Sequence, residues 1–329
     1  VAVPYFQDRQ KESTFQYAGL ILLAAILLLP TLFPEKTGWL TTLIPLPFFY
    51  YHVSLGKKRG FFLIRNAILL ATAGGLVFGT LPMLAFSLTL VPLAIAFSHG
   101  VFNRKSPAFT GLLGTMVLAS IWFLYWAGLA LVHQTNPYVT LLGELDRGLS
   151  NGLMLYKESA GLAPETLASV SKAVELLRLY IPKILPALLI SALLGTVWLN
   201  LALGNWLLQK MTPGITPWPE FKEWKVPDPF VWLVIFSGAF FLLLPQPLSI
   251  LGINGLIVCS TVYFFQGLAI AASLLNRWSV PALLRVLIYA LIFIQTYGII
   301  LLSFLGLLDV WADFRKLNQQ AGHNPHGSA

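Results

Sequence analysis

"LSILGINGLIVCSTVYFFQGLAIAASLL", residues 248 to 275, carries no charged side chain along its whole length. A helix rises about 1.5 Å per residue, so roughly 20 apolar residues cross a hydrocarbon layer of about 30 Å. This run is a membrane span by length and by composition. Working outward, comparable runs recur at 17–33, 38–55, 60–79, 81–100, 108–132, 183–208, 230–245 and 280–308. The expectation is an all-α polytopic transmembrane helix bundle of about nine spans, forming a single integral membrane domain over 1–329. The weakest run, 230–245, is short and ends at Pro245 and Pro247; if it is re-entrant the count is about eight.

Composition agrees. Of the 329 residues 57% are hydrophobic and only 10% charged, which is outside soluble globular usage. Short alternate loops and the amino terminus gather Arg9, Lys11, Lys57, Lys58, Arg59, Arg104, Lys105, Lys210, Lys222, Lys225 and Arg277 on one side. The positive-inside rule makes that side, and the amino terminus, cytoplasmic, in a bacterial inner membrane. The net charge of +8 is then explained by topology and anionic headgroups, so a nucleic-acid partner is not expected. Arg65 and Arg285 lie about a turn inside their spans, where a long cationic chain snorkels to the surface.

Acids are missing where ion coupling would need them. None occurs between Glu35 and Glu144, nor between Asp228 and Asp309. Proton relays and carboxylate-bound cations usually require an ionisable group at membrane depth. His52, His99 and His133 sit near span ends without metal-ligand spacing, and Cys259 stands alone. No metal, cofactor or catalytic group is expected.

Uncharged polar residues inside the spans are the better candidates for recognition: Asn66, Asn200, Asn205, Asn254, Gln266, Gln295 and Tyr297, with Tyr263 among the aromatics of the eighth span. Hydrocarbon cannot satisfy an amide, so each must face a helix, a cavity or a ligand. Ala67, Ala71, Gly75 and Gly79 recur every four residues in "NAILLATAGGLVFG", 66–79. Such a small-residue stripe is a helix-packing seam, within the chain or toward a partner protein; Gly74 and Gly75 could also bring backbone close to a ligand.

The polar interval 133–183 reads as an extramembrane amphipathic helical hairpin between spans five and six. Leu142, Leu145, Leu149, Leu153 and Tyr156 share one face of its first helix, and Leu167, Val170, Val174, Leu177 and Ile181 one face of its second. The loop "GITPWPEFKEWKVPDPF", 214–230, reads as a stiff connector whose indoles sit at headgroup depth. The tail 318–329 reads as disordered.

The carboxyl-terminal third resembles the YybS-like family of bacterial membrane proteins. The matching elements are Asn254 leading its span, the "YFFQGLA" centre at Tyr263 to Ala269, and the Gly306 to Arg315 exit "GLLDVWADFR". The resemblance implies a layout whose amino-terminal half is similar to the substrate-binding S components of energy-coupling-factor vitamin transporters. In that group an AxxxA pattern in the first helix meets the coupling subunit; here the nearest such spacing, Ala67 with Ala71, lies in the third span.

On a continuing helix Asp309 and Asp313 would share a face, and Trp311 and Arg315 another, with Lys316 or Lys183 available to screen the acids. That makes the exit either an anchor or a docking or ion site using Asp309 and Asp313. Two functions fit the sequence: a small-molecule binding or transport component that is not ion-coupled, or a non-catalytic scaffold for a membrane or cytoplasmic protein partner. Apart from the lipid bilayer, its possible partners are thus a small-molecule ligand or another protein.

Overall fold

Away from water a helix pairs its backbone N–H and C=O groups with its own neighbours, and this chain follows that route throughout. The computed structural model, which describes residues 9–158, 164–212 and 214–315, is 87% helical with no strand among the described residues. Its helices are α1 (Arg9–Leu32), α2 (Pro34–Thr37), α3 (Pro45–Leu55), α4 (Lys57–Val77), α5 (Leu81–Leu88), α6 (Val91–Phe102) and α7 (Pro107–His133). They continue with α8 (Pro137–Glu158), α9 (Pro164–Met211), α10 (Val231–Leu243), α11 (Leu248–Arg277), α12 (Ala282–Ile294) and α13 (Thr296–Ala312). Lys316 and the tail 318–329 lie outside the described residues.

Six stretches are long and apolar enough to cross a membrane: Thr14–Leu32, Lys57–Val77, Leu81–Phe102, Pro107–His133, Glu165–Met211 and Leu248–Arg277. A seventh is added if Ala282–Ile292 and Tyr297–Ala312, bent by 103°, form one broken span. Three expected spans are therefore not continuous helices of membrane length. In 38–55 a 3-10 turn, Gly38–Leu43, meets Pro45 and leaves α3 with 11 residues. In 230–245 the helix has 13 residues and stops short of Pro245. In 280–308 the backbone of Gln295 turns extended, with φ −101° and ψ 121°.

The chain divides into two compact units. The first comprises Val1–Ser120, Ala192–Val231 and Cys259–Ala329. Within it α4 packs along α1 and α3, and α3 along α6. Ala67 and Ala71 are fully buried. A Cβ on Gly74 would sit 2.9 Å from Leu28 Cδ1, and one on Gly75 2.9 Å from Leu84 Cδ2. The stripe is thus covered by the same chain at Ala67, Ala71 and Gly75, the last against α5, while Gly74 beside it meets α1. Gly79 leaves the stripe: it is exposed, and its φ of +68° ends the helix while Thr80 N–H donates to Gly75 O at 2.9 Å.

The second unit comprises Ile121–Ser191 and Trp232–Val258. The amphipathic hairpin is here, with one difference from expectation. Its second helix does not stop but runs on as α9, 48 residues long. Leu142, Leu145, Leu149 and Leu153 are half-buried and Val174 buried, while Tyr156 and Leu177 remain exposed. Across the hairpin Arg178 pairs with Asp146 at 2.7 Å and donates to Ser150 at 2.6 Å.

Candidate functional site

Two glycines bring α11 and α13 into backbone contact. A Cβ on Gly267 would run into the carbonyl of Leu302, and one on Gly306 into that of Tyr263. So close a crossing places side chains of neighbouring turns within hydrogen-bond reach. Three residues beyond Gly306, Asp309 is 1% exposed, the only buried acid among the described residues. Gln266 Nε2 donates to its Oδ2 at 3.1 Å.

The exit does not continue as a helix. α13 ends at Ala312, and Asp313 takes the left-handed conformation, φ 41° and ψ 54°. This reverses the chain, so Phe314 N–H donates to Asp309 Oδ1 at 2.9 Å and Arg315 Nη2 meets Asp309 Oδ2 at 2.8 Å. Both side chains of this pair are 1% exposed. Arg315 Nη1 also donates to the carbonyls of Lys222 and Trp224, at 2.9 and 2.8 Å. Gln266 Oε1 completes the knot by accepting from Val226 N–H at 2.9 Å.

Asp309 and Asp313 therefore do not form one stripe. Asp309 alone turns inward, while Trp311 is 66% exposed and separated from Arg315 by the reversal. Asp309 is thus a carboxylate inside the fold, where a guanidinium neutralises it. Lys183, a possible partner by sequence, instead lies over its neighbour Tyr180, 5.5 Å from the ring centre.

The connector 214–230 is held by the same economy of donors. Asn205 Nδ2 donates to Pro219 O at 2.8 Å, and Gln209 Nε2 to Trp218 O at 2.7 Å. Both of its indoles are buried within the protein. Trp218 stacks on Phe49 with ring centres 6.2 Å apart and donates to Lys105 O at 2.7 Å; Trp224 donates to Pro219 O at 3.0 Å. A proline-rich loop lacks N–H groups of its own, and side chains meet its carbonyls instead. Asn200 bonds Thr42 O and Thr196 O through Nδ2 and leaves Oδ1 without a partner.

Asn254 has a different task, in the second unit. Pro186 lies inside α9, where its ring and missing N–H open the helical ladder. The Asn254 amide fills the gap: Oδ1 accepts from Ala187 N–H at 3.0 Å, and Nδ2 donates to Lys183 O at 2.8 Å. The carbonyl of Pro182, which an N–H at position 186 would have met, accepts from Tyr138 OH at 2.8 Å. The amide is thus spent on backbone.

The remaining candidates are dispersed. Asn66 is half-buried and meets Arg65 at 3.5 Å, Gln295 is exposed at the α12–α13 bend, and Tyr297 is 81% exposed. Tyr263 is buried against Phe230, with its hydroxyl unpartnered. No group of three or more His, Cys, Asp and Glu side chains that could hold a metal comes together among the described residues.

Of the polar candidates named from the sequence, Asn205 lines the larger of two cavities, and the others line neither. The smaller, about 330 Å³ in the second unit, is walled by apolar groups such as Phe123, Trp126 and Leu189. The larger is an open groove of about 850 Å³ in the first unit, between α9, α11 and α12. One wall is Leu199, Leu203, Trp206 and Lys210, and a second Phe265, Leu268, Ala272 and Asn276. Arg285 and Tyr289 come from α12, and Glu220 and Lys222 from the connector. Sequence reasoning passed over these residues, yet a signal was present: each helical wall repeats at three and four residues and ends in a polar side chain. Comparison with curated proteins and with solved structures gives no match. The family model described as "Predicted membrane protein (DUF2232)" matches residues 21–310, and the chain belongs to that family of predicted membrane proteins.

Proposed function

We propose that this protein is a non-catalytic, multi-pass component of a bacterial cytoplasmic membrane that binds a small molecule for transport, in the groove between α9, α11 and α12. The observation that carries this reading is the groove itself: about 850 Å³, with apolar walls and a polar mouth. Binding without ion coupling is supported by the state of Asp309, whose two oxygens are already engaged by Arg315, Gln266 and the Phe314 N–H. The Asn254-led span and the Gly306 to Arg315 exit support the finer kinship with YybS-like proteins, and a layout like that of S components.

Purification from native membranes in a gentle detergent, with mass spectrometry of co-purifying chains and small molecules, tests the reading. A retained small molecule that is lost when Ala272→Phe fills the groove is the expected result. A stoichiometric second protein with no small molecule would overturn it in favour of the scaffold. That second reading draws on the hairpin, where Val139, Leu155, Leu176 and Tyr180 are exposed and could meet a protein partner.

A further inference from the structure

Resting on that reading, we infer that the occupant of the groove is a single anionic, phosphate-bearing lipid, with its chains along α9 and α11 and its headgroup between Arg285, Lys222 and Lys210. The first argument is length. From Leu199 to Lys210 and from Phe265 to Asn276 the two walls each advance eleven positions, about 16 Å of helix and close to half of a hydrocarbon layer of about 30 Å. The groove is therefore as deep as one leaflet.

The second argument is direction. α9 ends at Met211, α11 at Arg277, and α12 begins at Ala282. Both walls accordingly become polar toward the same end, where Lys210, Asn276 and Arg285 stand, and both are aliphatic or aromatic at the other, at Leu199, Leu203, Phe265 and Leu268. A soluble anion has no use for such walls. An uncharged lipid has no use for the mouth.

The third argument is charge and unspent donors. Lys210, Lys222 and Arg285 face the single acid Glu220, which is held by Lys222 at 2.8 Å. Arg285 is half-buried and anchored through Nε to Val280 O at 2.6 Å, and it meets no carboxylate among the described residues. Its two Nη groups remain to grip a phosphate, the geometry in which guanidinium exceeds ammonium. Lys210 holds its ammonium 5.0 Å over the Trp206 ring, at the lip. Basic pockets between membrane helices are recognised sites for anionic headgroups.

The test uses the full chain in mixed micelles of phosphatidylglycerol and phosphatidylcholine at equal concentration, read by native mass spectrometry. One phosphatidylglycerol should be retained with a preference of about tenfold, falling to near parity in the Lys222→Gln/Arg285→Gln variant and in Lys210→Gln/Lys222→Gln, which replaces the exposed Lys210 and leaves the half-buried Arg285 in place. Ala272→Phe should lose both lipids. Equal retention of the two by the unaltered protein would overturn the anionic ligand and leave small-molecule binding standing. A preference untouched by either charge variant would overturn this site, and displacement of the lipid by millimolar inorganic phosphate would overturn recognition of an entire lipid. Retention of no amphiphile and no small molecule at all would overturn the function itself.

Discussion

At Asp309 and Asp313 two acids four residues apart in sequence have unequal parts. Removing the charge of the first strands a guanidinium that is 1% exposed, and breaking such a buried pair costs about 3–5 kcal/mol. Asp309→Asn should accordingly lower the unfolding midpoint in mild detergent markedly. Asp313→Asn should stay within about 1 kcal/mol of the parent, because asparagine also enters the left-handed region. Equal losses in the two variants would contradict the clamp. The sequence marked "GLLDVWADFR" as unusual but not what it binds. A continuing helix was the local default, and the left-handed turn at Asp313 that redirects Arg315 is secured by carbonyls at Lys222 and Trp224, far off in the chain. The groove residues Lys210 and Arg285 were hidden for another reason: near a span end, a lysine or arginine looks the same whether it serves topology or a ligand.

Among the elements, α9 shows how a helix tolerates proline. Its ladder is repaired at Pro186 from two directions, by the Asn254 amide and the Tyr138 hydroxyl. Each repair is needed only while the proline is there. Asn254→Leu should destabilise by about 2 kcal/mol and Tyr138→Phe by about 1, since each leaves a backbone group without a partner. Pro186→Ala should shrink both penalties, and a double-mutant cycle measures that coupling. Additive effects would show that the amide and hydroxyl do not serve the proline. That an amide inside a span requires a partner was plain from its chemistry; that the partner would be another helix's broken backbone is a fact of tertiary contact, beyond any single segment.

For the molecule as a whole, all-helical architecture was legible because composition and run length admit little else. The number of crossings was not, since hydropathy cannot separate a helix facing lipid from one enclosed by its own chain. α3 is the instructive case, with Phe48, Phe49 and Val53 at 2% exposure or less. Together with the preceding six-residue 3-10 turn it reaches about 28 Å, enough to traverse the layer as a broken span. Cysteine accessibility checks this, on a background simplified by the burial of the single native Cys259. Lys36→Cys should react with an impermeant maleimide from outside the cell and Lys58→Cys only after permeabilisation; labelling of both from one side would make 38–55 re-entrant.

The clamp also dictates a timetable. The guanidinium of Arg315 reaches carbonyls 93 and 91 positions earlier in the chain, so synthesis exposes the acceptors long before their donor exists. Until then the stretch around Trp224 lacks these two bonds and is tied to α13 through the bridge of Gln266 between Val226 N–H and Asp309, so a nascent polypeptide halted before position 315 should be nicked there by protease more readily than one released beyond it. Closure of the clamp thus waits until the ribosome has passed position 315, and a chain-terminating change before it would be felt 91 to 93 positions away.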